Sequence, residues 1–162
     1  MSNKITIRQA TQSDSSVVGG LVFELLKELF PDHYASLDCK SVEESAHKIL
    51  SSDTRVWAFL AKSGECDYAG VLTLNECAAI YAGGFFGEIS ELYIKPKYRS
   101  RGVGELLISA ATNFGRDRGW SNIEVGAPDV PRWQRSVDFY TRNGFEEVGP
   151  RLDLNIASNK GA

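Results

Sequence analysis

Two carboxylates, Glu88 and Glu91, stand three residues apart on a strand-like segment. Eleven residues after Glu88 begins a basic turn, Arg99-Ser100-Arg101-Gly102-Val103-Gly104, and a tyrosine, Tyr140, follows in a later helical stretch. A carboxylate can take a proton from a nucleophile. A tyrosine hydroxyl, with an ordinary pKa near ~10, can give one at neutral pH. A glycine turn that opens a helix can hold an anion.

The anion argument rests on backbone chemistry. The first N–H groups of a helix have no partner inside it, and the N-terminus carries roughly half a positive charge. Gly102 and Gly104 remove side chains that would keep a phosphate away, and Lys95, Lys97, Arg99 and Arg101 add charge around the mouth. A phosphate or pyrophosphate is the natural guest. The bland alternative is a strand–turn–helix with a solvated basic turn. A P-loop pattern is absent, and only two of the three glycines of a dinucleotide fingerprint, Gly102 and Gly104, are present.

The turn resembles the acetyl-CoA loop [Q/R]-x-x-G-x-[G/A] of the GNAT superfamily of N-acetyltransferases, here Arg99 to Gly104 after Ile94-Lys95-Pro96-Lys97-Tyr98. Asp138-Phe139-Tyr140-Thr141-Arg142-Asn143-Gly144-Phe145-Glu146 is similar to that family's "fYxxxGFe" segment. The resemblance implies an α/β fold: a mixed, mostly antiparallel sheet of six to seven strands, about four helices, and one domain over residues 1–162. It also implies acetyl-CoA as co-substrate, with the pantetheine arm between splayed central strands. Backbone amides of Leu92, Tyr93 and Ile94 would then be freed for the cofactor, and Ile94 would meet the thioester carbonyl. Arg99, Ser100, Arg101, Gly102, Val103 and Gly104 would hold the diphosphate. Tyr140 would donate to the leaving sulfur. Where the family often has Asn and Ala, this chain has Trp133 and Ser136; Ser136 or Arg135 would replace the usual Asn contact.

Acetyl transfer to an amine needs a base, because an ammonium is not a nucleophile. Strand parity sends Glu88 and Glu91 to opposite faces, and the family's bulge, expected near Leu92-Tyr93, leaves them opposed. One therefore faces the cleft. Glu88, at the spacing from Arg99 that the family uses, is preferred as base through water, with Glu91 as the other candidate. The leading expectation is an N-acetyltransferase acting on a primary amine by direct attack in a ternary complex. A catalytically silent acyl-CoA-binding or regulatory domain of the same fold is the alternative, and a nucleotide-phosphate binder is a third reading. Glu28, Asp32 and Asp38 near the acceptor loop suit a cationic small-molecule or peptide amine. Homodimers are common in the resembled family.

The surrounding elements must position these groups. Val103, Leu106, Leu107, Ala110, Ala111 and Phe114 form one helical stripe behind the turn. Glu88–Ile94 reads as the central strand, preceded by a hairpin, Arg55–Lys62 and Tyr68–Asn75, and a flexible Glu76–Gly84 connection. An N-terminal strand (Lys4–Arg8) leads to a helix with Val17 to Leu29 as its apolar stripe, interrupted by Gly19-Gly20. A second helix starts at Ser41 with Glu44 in capping-box register. Ser121–Val125 is a short strand, a helix runs from Asp129 to about Asn143, and Phe145–Val148 and Leu152–Ile156 read as final strands.

Composition restricts the alternatives. The chain has 162 residues, 43% hydrophobic and 24% charged, with net charge −3, which argues against a general nucleic-acid binder. No apolar run approaches the ~20 residues of a membrane span, and the first residues lack a signal-peptide core. Cys39, Cys66 and Cys77 are odd in number and widely spaced, which suits reduced thiols in a cytoplasm. With His33 and His47 they form no metal-ligand pattern, so no metal is expected.

Overall fold

Alternating apolar residues build the sheet, and helical stripes cover both of its faces. The computed structural model describes residues 4–33, 36–51 and 53–156. They group into two compact units, Met1–Val125 and Gly126–Ala162.

The first unit contains β1 (Ile5–Gln9), α1 (Ser15–Leu29), α2 (Cys39–Ile49), β2 (Val56–Ser63), β3 (Asp67–Ala79), β4 (Gly84–Ile94), α3 (Val103–Asp117) and β5 (Ile123–Val125). The strands lie in the order β1-β2-β3-β4-β5. All neighbours are antiparallel except β4 and β5. On one face Ala58, Leu60, Val71 and Tyr93 pack with Val18, Leu21 and Val22 of α1 and Ala46 of α2. On the other, α3 buries Val103, Leu107, Ile108 and Ala111. Phe114 of α3 meets Trp57 at 4.9 Å and Phe59 at 5.5 Å between ring centres.

Two close approaches depend on glycine. A Cβ at Gly19 would lie 2.5 Å from the Glu43 Cα, so α1 and α2 touch there backbone to backbone, whereas one at Gly20 would meet nothing within 4 Å. Trp120 fills a second tight spot. A Cβ at Gly87 would fall 2.4 Å from its ring, and one at Gly115 would fall 2.8 Å from it. The Trp120 indole N–H donates to Glu76 (2.6 Å), which also pairs with Arg55 (2.6 Å) and Arg118 (3.0 Å).

The α/β architecture matches expectation, with differences in detail. Among the described residues the sheet has five strands rather than six or seven. Phe145–Val148 and Leu152–Ile156 are not strands. Val148, Leu152, Leu154 and Ile156 are 82–94% exposed, so the alternation of apolar side chains there buries nothing. Glu76–Gly84 is not a loose connection: β3 continues to Ala79 and β4 starts at Gly84, giving a longer ribbon. The second helix begins at Cys39, because Asp38 caps it by accepting from the Lys40 N–H (3.2 Å). In the second unit, α4 spans Gln134–Arg142, starting later than Asp129; Asp129 closes a single turn by accepting from the Trp133 N–H (2.9 Å).

Candidate active site

The central strand carries the decisive geometry. Thr73 of β3 pairs with Glu91, but the next residue, Leu74, pairs with Ile89, so Ser90 is an extra residue on β4. Asn75 then pairs with Glu88. Partners across a ladder share a face, and Thr73 and Asn75 share theirs. Glu88 and Glu91 therefore lie on the same face, together with the Val71–Tyr93 pair that α1 covers. This corrects the expectation of opposed carboxylates. The bulge sits at Ser90, between the two, rather than near Leu92-Tyr93.

Thr73 holds Glu91 in two ways. Its hydroxyl donates to the carboxylate, and its oxygen accepts from the Glu91 N–H at 3.0 Å. Burial pushes the Glu91 pKa up, with the Thr73 hydrogen bond opposing the shift. Ser90 donates to the Asn75 side chain (2.7 Å). Glu88 is half-buried opposite Glu124 of β5.

The same bulge marks where β5 stops. β4 and β5 pair only over Gly87–Ile89 and Ile123–Val125, so Ser90–Ile94 continue without a β5 partner. The Lys95 N–H donates to Ala69 O (2.9 Å) on the β3 side. By alternation the Leu92 and Ile94 amides point to the opposite edge, while that of Tyr93 points toward β3.

Beyond Ile94 the chain makes a 3₁₀ turn, Pro96–Tyr98, and then the glycine turn. Ser100 (φ 60°) and Gly102 (φ 76°) both take left-handed backbone, which reverses the chain into α3. A Cβ at Gly102 would meet nothing within 4 Å, so space lies open beside the helix start, as a phosphate there requires.

The cations around this turn are not equivalent. Lys97 and Lys95 pair with Asp67 at 2.7 and 3.2 Å, and the Tyr98 hydroxyl donates to the same carboxylate. These donors hold the Asp67 carboxyl well below the usual range, Lys97 contributing most. Arg99 pairs with Glu28 of α1 (2.7 Å), donates through Nε to Ile94 O (2.9 Å) and lies over the Tyr93 ring. Arg101 is exposed and, among the described residues, makes no ion pair. Glu28, read from sequence as an acceptor-side acid, instead braces the loop. Asp67 and Thr73 escaped the sequence reading, since a turn aspartate and a strand threonine are commonplace until their long-range partners are known.

In the second unit, Tyr140 and Ser136 lie on α4. The Tyr140 ring packs edge-on against Phe139 (5.3 Å) and Phe145 (5.4 Å). Burial pushes its pKa up to about 12, so the hydroxyl keeps its proton at neutral pH. Trp133 and Ser136 are half-buried; Arg135 is exposed. His33 and His47 are exposed, and Tyr34 and Ala35 of the acceptor loop lie outside the described residues.

The family model for the acetyltransferase (GNAT) family matches residues 21–145. The chain belongs to the GNAT acetyltransferase family. It is 25% identical over 141 residues to an aminoalkylphosphonate N-acetyltransferase of Salmonella typhimurium, covering 87% of this chain and 84% of that protein. It is 37% identical over 62 residues to an uncharacterized N-acetyltransferase of Methanocaldococcus jannaschii, but that covers only 37% of this chain and 26% of the relative. Among solved structures, the aminoglycoside N-acetyltransferase AAC(6′)-Iy in complex with CoA superposes with a TM-score of 0.71 at 21% identity, over 96% of each chain. At that identity the likeness concerns the fold alone. No helix among the described residues of this GNAT chain is long and apolar enough to cross a membrane.

Proposed function

We propose that this protein transfers an acetyl group from acetyl-CoA to a primary amine by direct attack within a ternary complex. The observation that carries the reading is the Ser90 bulge. It turns two carboxylates to one face of β4, at the point where β5 leaves and the strand runs on to the glycine turn. The family match across residues 21–145 touches both compact units, which supports one acetyltransferase domain.

Glu88 takes the ammonium proton through water. The amine nitrogen attacks the thioester carbonyl carbon, and the Ile94 amide donates to the oxyanion. The C–S bond breaks, Tyr140 protonates the departing thiolate, and the second proton shed by the nitrogen as it becomes an amide restores the tyrosine hydroxyl through water. The amides at the start of α3, with Leu92, Arg99, Ser100, Arg101, Gly102, Val103, Gly104 and Ser136, hold the cofactor, whereas Tyr93, paired to β3 and buried, is not among them. A second assignment of the base has its own support: burial raises the Glu91 pKa toward neutrality, where a carboxylate base works best. The Salmonella relative is named for a small amine substrate, which supports a small amine acceptor here.

The test is release of free thiol from acetyl-CoA against a panel of primary amines, with acetylated product identified by mass. Turnover on one or more amines is expected. CoA binding without turnover on any amine would favour a silent acyl-CoA-binding domain.

A further inference from the structure

The structure assigns Asp67, on the β2–β3 hairpin, as the positioning residue of the cofactor's phosphate turn. The inference rests on the acetyl-CoA reading above. Asp67 gathers three donors, Lys95, Lys97 and Tyr98, from the four residues that link β4 to the glycine turn. Tyr98 is 9% exposed, so its ring anchors that link in the interior while its hydroxyl reaches Asp67. The last ladder bond, from the Lys95 N–H to Ala69 O, lies beside this cluster. One carboxylate thus fixes where β4 ends and from which direction the chain enters the left-handed residues Ser100 and Gly102.

Asp67 has two opposing effects on a bound phosphate. It neutralises lysine charge, which weakens attraction to an anion. It also fixes the backbone whose amides make the site. With Lys95 and Lys97 held by Asp67 and Arg99 by Glu28, side-chain charge for the ligand falls to Arg101, and the backbone carries the rest. Positioning therefore outweighs screening, and removing the Asp67 charge weakens cofactor binding even though it frees two lysines.

The experiment compares wild type, Asp67→Asn and Asp67→Glu by calorimetric CoA binding and steady-state kinetics, at low salt and at about 0.5 M NaCl, where charge effects are largely screened. Asp67→Asn is expected to raise the Kd for CoA and the KM for acetyl-CoA about tenfold, the scale of roughly one hydrogen bond to the ligand lost. The change should leave kcat within about twofold and persist at high salt. Asp67→Glu should recover part of the loss. An unchanged or tighter Kd in Asp67→Asn overturns the inference while leaving the acetyltransferase reading intact. Wild-type protein that binds no CoA overturns both. Should Asp67→Asn fail to fold, Tyr98→Phe keeps the ring and removes one bond to Asp67, and the same Kd comparison decides.

Discussion

Glu88 and Glu91 share one face of β4, although three residues apart, because Ser90 is an extra residue between them. Without it the two would point to opposite sides of the sheet. A single inserted residue thus concentrates acid at the strand's exit.

Replacing each glutamate separately identifies the base. Glu88→Gln is expected to lower kcat/KM about 100-fold at neutral pH, the low end for a lost general base. The deficit should shrink as pH rises, because solvent then supplies free amine. A pH–rate profile checks this. If Glu91→Gln shows that pattern and Glu88→Gln does not, the base is Glu91.

Glu91 also has a stability signature. Burial raises its folded pKa, so the neutral form is favoured in the native state. Its contribution is fully present below the unfolded glutamate pKa and is lost as pH rises through the folded value. Glu91→Gln should therefore melt close to wild type near pH ~4 and above it near pH ~8. Melting temperatures across that range that run in parallel would contradict the assignment.

Tyr140→Phe should lower kcat at least tenfold, as loss of a general acid does, and leave the melting temperature nearly unchanged. The ring contacts with Phe139 and Phe145 survive the substitution. Turnover near the wild-type level would remove Tyr140 from the mechanism.

The adjacent glycines of α1 should respond with opposite signs. Gly19→Ala places a methyl group 2.5 Å from the Glu43 backbone and should cost about 1–3 kcal/mol, as overpacking does. Gly20→Ala enters open space in a helix and should gain about 0.5–1 kcal/mol. Urea denaturation of both variants tests the pair.

Gly102→Ala should cost about 1–2 kcal/mol through its left-handed backbone alone, since nothing crowds the new methyl. It should also raise the acetyl-CoA KM, because the turn supplies the amides that meet phosphate. Stability and KM measured on one preparation separate the two effects.

Local signals carried much of this fold. The apolar stripe of α3 and the turn before it could be read from residue spacing, as could the hairpin of β2 and β3. The bulge could not, because it arises from register between β3 and β4 and Ser90 has no special local character. Asp67 and Glu28 were hidden for a similar reason: their partners Lys97 and Arg99 are 30 and 71 residues away. The alternation at Leu152–Ile156 misled, since it says what a strand would bury but not whether a partner exists.

The wedge formed by Trp120 ties three sequence positions into one unit. Its indole occupies the volume that side chains at Gly87 and Gly115 would need, and its N–H anchors Glu76. None of the three can drift alone: an alanine at either glycine must evict the ring. Relatives in which one of these sites has changed are expected to carry a smaller residue at the tryptophan position, a linked substitution readable from sequences alone.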